Sequence, residues 1–498
     1  MVWLSRANRT TEGILTLVCG VLVGFLAIYL NVFNASNKIT AVVVGALLAV
    51  IVVLLVGKLQ RLLLAVVFLD LATGTDFHVT CNADYFLSSC GLNISLTTLA
   101  LVGLYVLWVV AIRRGSTEGE DYVRRPRFGV IGKAAVGFIF AAILSLLAAR
   151  NVGIAMYQIW VYLTLLALFF YLANNINTRE ELLFVVGLIV VGLFIQNVFM
   201  EMGTLGIIEK STTSKVVQRV NGTFNSFNSA GAYLAQIFSI LLACLAIPMR
   251  RWQKWFLSIT LMLAIYNLVG TESRGGWTSV LIGISVVAFV SLARGWMKIK
   301  TLVLALIVVT FFALMFSGTI ISRLTGDDHG AADARGPLAD IAFNMIRDNP
   351  IVGVGANNFG VALKDYIEPE QFGAWLNLVH NGWLLVWSET GTVGIIFYAI
   401  FWLTIFWQAS RLIKSGHPYY APIAVGIVAS MLGTSMHMMV EIFGSRILSQ
   451  IIWTEAALIM AMVRLYEREN RLANAPIQPV TLNDPSDVIT LLPERKRV

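Results

Sequence analysis

The chain has 498 residues, of which 58% are hydrophobic and only 13% charged, and its mean hydropathy is +0.78. A soluble domain carries roughly 25% charged residues, so a soluble fold, which would have to hide this much apolar surface, is excluded. The formal net charge of +8 does not indicate nucleic-acid binding, because the Lys and Arg residues form short clusters between apolar runs, as topology signals do.

Apolar runs long enough to cross a hydrocarbon core of about 30 Å recur between Gly13 and Val463. They predict an all-α, polytopic membrane protein of about fourteen transmembrane helices. The first run, Gly13 to Phe33, is too long for the apolar segment of a cleaved signal, and no small-x-small site follows it, so it is expected to stay as the first span. Arg6 and Arg9 place the N-terminus in the cytoplasm. Every second span then returns to a basic loop: Lys58 to Arg61, Arg113 to Arg127, Arg250 to Lys254, Arg294 to Lys300, and Arg411 to Lys414. Only Asn174 to Glu181 departs from this, because Glu180 and Glu181 offset Arg179. The third span, Leu62 to Leu71, is short, but without it Arg113, Arg114, Arg124, Arg125 and Arg127 would face outside. Arg468 and Arg471 keep the C-terminus cytoplasmic, and the tail from Ala473, with Pro476, Pro479, Pro485 and Pro493, is expected to be disordered.

On the outer side, Cys81 and Cys90 lie in a polar loop, where an oxidising compartment would bridge them; the alternative is two free thiols. Cys19 and Cys244 lie in apolar runs and read as packing residues. The other notable outer segments are Glu201 to Asn228, the turn Thr271 to Gly276, and the longest loop, Ser317 to about Val379. The last is expected to hold a helix from Pro337 to Arg347, stopped by Asn349-Pro350. Gly353, Gly355 and Gly360 imitate a nucleotide-binding spacing with no strand before them, and are read as loop flexibility. Asp327-Asp328-His329 is a poor metal site, since three adjacent residues do not easily converge on one ion. No Walker loop or four-ligand Cys/His set occurs, so neither a cofactor nor a metal is expected, and the energy for an outer-face reaction would come from an activated substrate.

Four outward groups carry candidate chemistry: Arg219 in Gln-Arg-Val-Asn-Gly, Arg274 in Glu-Ser-Arg-Gly-Gly-Trp, Arg335 in Asp-Ala-Arg-Gly-Pro, and His380 in Val-His-Asn-Gly-Trp. Outer-face arginines run against the positive-inside trend, and guanidinium forks match phosphate oxygens, so together they suit a diphosphate. Arg219 and Arg335 also fit as solvated loop residues, whereas Arg274, where an apolar run breaks and restarts, sits at the membrane edge and calls for a partner. His380 opens a span and is a candidate base for a hydroxyl nucleophile, or alternatively a capping histidine. Glu389 lies inside that span and requires a partner in the bundle. His437 and Glu441, four apart in the thirteenth span, are expected on one helix face as a polar pair or as lining of the same cavity.

Three stretches, Glu272 to Trp277, Asn344-Met-Ile-Arg-Asp-Asn-Pro-Ile-Val-Gly-Val-Gly-Ala-Asn-Asn-Phe359 and His380-Asn-Gly-Trp-Leu-Leu-Val-Trp-Ser-Glu-Thr-Gly-Thr-Val-Gly394, resemble the bacterial O-antigen ligase and polymerase superfamily. The resemblance covers roughly Arg219 to Gly394 and rests mainly on the last two stretches. It implies a metal-independent, inverting glycosyltransferase of the C-type class, with a periplasmic loop subdomain between the eleventh and twelfth spans and an undecaprenyl-diphosphate-linked oligosaccharide as donor. Arg274 and Arg335 would hold the diphosphate with Arg219 assisting, His380 would activate the acceptor hydroxyl, and Asn381, Glu389, Trp277 and Arg323 would complete the substrate-binding set. The acceptor would be a glycan or lipid A core, with a chain-length regulator as a further partner and no nucleic acid.

The superfamily ligates O-antigen to lipid A core, polymerises repeat units, or glycosylates protein. An Arg-x10-Gly spacing described for some polymerases is absent at Arg219 and Arg335, yet the chain has more spans than typical ligases. The balance favours an O-antigen or exopolysaccharide polymerase; ligase and protein O-oligosaccharyltransferase are the alternatives. A flippase, the rival of another class, would place its cations between two similar halves, and no internal repeat is present. The expected organisation is helices 1 to 7 over residues 1–200, a catalytic core over 201–405, two last helices over 406–472 and a tail over 473–498, in the bacterial inner membrane.

Overall fold

The computed structural model describes residues 59–81, 84–114, 126–207, 219–224, 226–296, 300, 310, 314–325, 335–367 and 377–474. The first two expected spans, most of the eleventh, Cys19, Asp327-Asp328-His329 and almost all of the tail lie outside them.

The described chain is mostly helical. In order it forms α1 (Leu59–Thr73), α2 (Leu96–Arg114), α3 (Gly129–Leu144), α4 (Val152–Asn175), α5 (Arg179–Thr204), α6 (Phe227–Cys244) and α7 (Arg251–Thr271). There follow α8 (Arg274–Ala293), α9 (Ser317–Thr325), α10 (Arg335–Asp348), α11 (Gly382–Ser415), α12 (Tyr420–His437) and α13 (Arg446–Ala473). Among the described residues nine helices are long and apolar enough to cross a membrane, so the protein is multi-pass. Their lipid-compatible faces follow from composition, and their starts from capping: Thr178 and Glu181 form a capping box on α5, and Asn151 caps α4.

One apolar core runs from Leu64 to Leu465, so the first and last described helices share it. At its centre α6, α8 and α12 pack on one another, while α3 lies against α11 and α4 against α13. Small residues allow that approach, as the Ser279 hydroxyl donating to the Gly433 carbonyl at 2.8 Å illustrates. Several connecting segments meet one another: Ser88 N–H donates to Asn357 at 2.9 Å, Asn151 N–H to Asn358 at 2.8 Å, and Arg323 to the Glu272 carbonyl at 3.1 Å.

The short third span is a helix, α1, and its weakness has a cause. Asp70, near its end, is 1% exposed and meets Arg446 at 3.1 Å from the start of α13. The following polar loop is more ordered than its composition suggests: β1 (Asp76–His78) and β2 (Asn93–Ser95) pair antiparallel, with Asp76 opposite Ser95. Cys81 and Cys90 are disulfide-bonded, while Cys244 is free and buried.

The largest departure from expectation concerns the glycines of the long loop. They are close-approach residues, and the loop-flexibility reading is wrong for them. α11 breaks at Gly391, where φ is 66° and ψ is −172°. The peptide groups freed there are met by the backbone of residues 350–355: Val354 donates to the Ser388 carbonyl at 2.9 Å and Gly355 to that of Glu389 at 3.0 Å, while Thr392 donates to the Pro350 carbonyl at 2.8 Å. Backbone reaches backbone only because no side chain intervenes; a Cβ on Gly353 would fall 2.5 Å from the Glu389 carbonyl carbon. Gly360 packs equally tightly on the Phe86 carbonyl.

A second correction concerns His437 and Glu441. α12 ends at His437, so the two do not share a helix face, and Glu441 instead accepts from Asn228 at 2.6 Å.

Gly391→Ala is expected to destabilise the purified protein by about 2 kcal/mol or more, through positive-φ strain alone. Gly187→Ala, on an open face of α5 with nothing within 4 Å, should leave the melting temperature nearly unchanged. Equal melting of both variants in detergent would contradict the docked-loop account.

Candidate functional site

The turn between α7 and α8 organises the cationic end. α7 closes with Glu272 in the left-handed conformation (φ 51°), and Ser273 caps α8 by accepting from Gly276 N–H at 3.2 Å. Arg274 is thereby the first residue of α8, at the positive end of the helix dipole, where anions are favoured.

Two further arginines bond the last carbonyls of α7. Arg219 Nε donates to Thr271 O at 2.8 Å, and Arg323 Nε to Glu272 O at 3.1 Å. The Glu272 carboxylate is 3.7 Å from Arg219 Nε, and the Arg219 guanidinium lies 4.5 Å from the centre of the Phe227 ring. Burial pushes the Arg219 guanidinium down to about 10, with Arg323 and Arg274 adding to the shift and Glu272 opposing it. It therefore stays charged at neutral pH, among like charges.

His380 and Arg335 belong to an adjacent small core. Arg335 opens α10, whose apolar residues Leu338, Ile341 and Met345 pack with Leu378, Val379 and Leu385 on either side of His380 and Asn381. Asn381 is the N-cap of α11, accepting from Leu384 N–H at 3.0 Å. His380 is half-buried, and its Nδ1 lies 3.0 Å from the Leu378 carbonyl. A carbonyl only accepts, so Nδ1 carries the proton in the neutral ring and Nε2 the lone pair.

The end of α12 joins the two groups. The His437 ring lies against Gly275, next to Arg274, where an added side chain would strike it. On its other side Gly382, two residues from His380, donates to the Met438 carbonyl at 2.7 Å and the Glu441 carbonyl at 3.1 Å.

The remaining expected residues have structural partners. Trp277 donates to the Leu268 carbonyl at 2.9 Å, tying α8 to α7. Glu389 is 4% exposed and its carboxylate accepts from Phe359 N–H at 3.3 Å, so it holds the docked loop rather than opening onto the surface. Asn357 and Asn358 lay inside a quoted motif without an assigned role. The Asn357 amide accepts from Ser88 N–H at 2.9 Å and donates to Ser89 O at 2.7 Å, while Asn358 makes a reciprocal pair with the Asn151 backbone at 2.8 and 3.2 Å.

Within the group of expected site residues, Arg219 Nη2 and Arg335 Nε are buried with no hydrogen-bond partner among the described residues. Buried donors are nearly always paired, so each calls for an acceptor that the described residues do not supply.

Fold and site together define a multi-pass membrane protein with a cationic, loop-rich end and a histidine beside it. Residues 259–399 match the family model described as O-antigen ligase, which upholds the resemblance to the O-antigen ligase and polymerase superfamily over that segment. The matched segment runs from α7 past the α11 break and includes Arg274, Arg323, Arg335 and His380; Arg219 precedes it. No curated protein matches the chain.

Undecaprenyl diphosphate, which carries the anion without a sugar, is expected to raise the melting temperature of the wild-type protein in detergent. Arg219→Ala, Arg274→Ala and Arg335→Ala should each lose most of that rise, and Lys at these positions should restore it only partly because it lacks the planar fork. Full restoration by Lys would argue against bidentate recognition.

Proposed function

We propose that the protein is a glycosyltransferase of the bacterial inner membrane, taking a glycan from an undecaprenyl-diphosphate-linked donor and joining it to a sugar hydroxyl on the periplasmic side. The observation that carries this is the gathering of Arg219, Arg274 and Arg323 around the α7–α8 turn, with Arg219 left incompletely paired. Three like charges repel, and a diphosphate relieves that repulsion more than any neutral ligand does.

In the reaction, the acceptor oxygen attacks the anomeric carbon as the bond from that carbon to the diphosphate oxygen breaks, so the configuration inverts. The guanidiniums stabilise the negative charge that grows on the departing diphosphate. His380 Nε2 takes the acceptor proton. Arg335 approaches the diphosphate from the α10 side, and Asn381, by capping α11, fixes the imidazole. Glu389 and Trp277 act as positioning residues. The reaction requires no metal, because the arginines neutralise the leaving group. Both termini lie in the cytoplasm, in keeping with the basic loops.

The acceptor is a growing lipid-linked glycan, which makes the protein an O-antigen or exopolysaccharide polymerase. The description of the matched family favours, as the second reading, transfer to lipid A core.

His380→Ala is expected to lower transfer by about 100-fold or more while the stabilisation by undecaprenyl diphosphate persists, because the base is removed and the diphosphate site is not. Undiminished turnover in this variant would overturn the assignment of the base.

A further inference from the structure

A polar cavity opens beside the α6 N-terminus, at Ser226 and Ser229. It measures about 230 Å³ and is walled by the β1–β2 ribbon, the disulfide-bonded loop, α4, the start of α6 and the start of α13. Its lining is rich in hydroxyl and amide groups, with Val161, Phe224 and Ile447 as its large apolar side chains. Nothing in the diphosphate chemistry above uses it.

Three of its lining side chains are more than nine-tenths buried and lack a partner at one atom among the described residues. They are Asn93 Oδ1 on the ribbon, Gln158 Oε1 on α4 and Arg446 Nη2 on α13, with relative exposures of 6%, 6% and 8%. Two acceptors and one donor, brought from three separate elements to one cavity, are complementary to a molecule with several hydroxyls. Each leaves a desolvation penalty of about 1–3 kcal/mol when unmatched.

Charge narrows the choice of ligand. Arg446 is already held by Asp76 on the wall at 2.6 Å and by Asp70 behind it at 3.1 Å, so its positive charge is already matched. An anion is disfavoured there, in contrast to the arginine cluster at the α7–α8 turn. The cavity also points toward the proposed base. It shares Ser88, Gln158 and Gly444 with a smaller cavity that reaches Gly382, two residues from His380.

We infer that this cavity is a saccharide subsite that takes one neutral sugar unit of the acceptor glycan, with Asn93 and Gln158 accepting from its hydroxyls and Arg446 Nη2 donating to a hydroxyl oxygen. The inference rests on the transferase reading for the word acceptor, but the binding itself does not. The wall is fixed in place by Asn357, whose amide holds Ser88 and Ser89 and so ties the subsite to the loop docked in the α11 break.

The test uses the full-length protein in nanodiscs and two probes. Saturation-transfer NMR with glucose, galactose, mannose, rhamnose, N-acetylglucosamine and glucuronate reports the subsite, and the melting shift with undecaprenyl diphosphate reports the arginine site. At least one neutral sugar should bind and glucuronate should not. Gln158→Leu should reduce the sugar signal at least fivefold and leave the melting shift intact. Ser229→Phe, which fills the cavity from α6, should do the same if Gln158→Leu fails to fold. No sugar signal in the wild type, an equal signal in a folded variant, or preferential binding of glucuronate overturns the subsite. Loss of the melting shift in the wild type with sugar binding retained would instead overturn the transferase reading.

Discussion

A broken helix inside a membrane bundle exposes peptide groups that lipid cannot satisfy, each costing several kcal/mol. α11 breaks at Gly391, and the chain supplies the missing partners from residues 350–355. This backbone-to-backbone docking is the constraint on which the loop-rich end depends. It fixes α10, which ends just before the docked segment, and the start of α11, which carries His380 and Asn381. Glu389 reinforces it from within the bundle by accepting from Phe359 N–H. The glycines at 353, 355 and 391 are the condition for the approach, since any side chain there would meet opposing backbone or side-chain atoms.

From that anchor the order spreads outward by polar side chains. Asn357 and Asn358 reach the disulfide-bonded loop and the turn before α4, two parts of the chain about two hundred and more residues away in sequence. Asp70 and Arg446 close the opposite side, joining α1 to α13. Between these braces lie two chemically distinct clusters: a cationic one at the α7–α8 turn, where arginines gather at a helix start, and a hydroxyl-rich one around Arg446, whose charge Asp70 and Asp76 already match. That difference in charge fits a reaction whose one substrate is a diphosphate and whose other is a sugar.

Much of this was legible from the sequence, because hydropathy and basic loops report directly on burial in lipid. The helices, the short third span and the arginines near the α7–α8 turn all follow from that rule. Arg446, a charge opening the last span beside Gly444 and Ser445, was not singled out, and its partner Asp70 lies far away in sequence with no local pattern to link them. The glycines were misread because spacing alone does not tell a mobile loop from one pressed against a neighbour. His437 and Glu441 were misread because helical periodicity was carried past the end of α12. Asn357 and Asn358 were present in a recognised motif, yet their role depends on contacts with the N-terminal half, where only hydropathy resembled the superfamily.

The proposed chemistry is the making of a glycosidic bond beside the arginines of the α7–α8 turn. The most direct measurement reconstitutes the purified protein with an undecaprenyl-diphosphate-linked repeat unit, with and without chelator, and follows both the glycan products and the released undecaprenyl diphosphate. Longer glycans and equimolar release of the lipid diphosphate, unaffected by chelator, are expected. Movement of the intact donor across the bilayer with no new bond and no release would contradict that chemistry and identify a transporter instead.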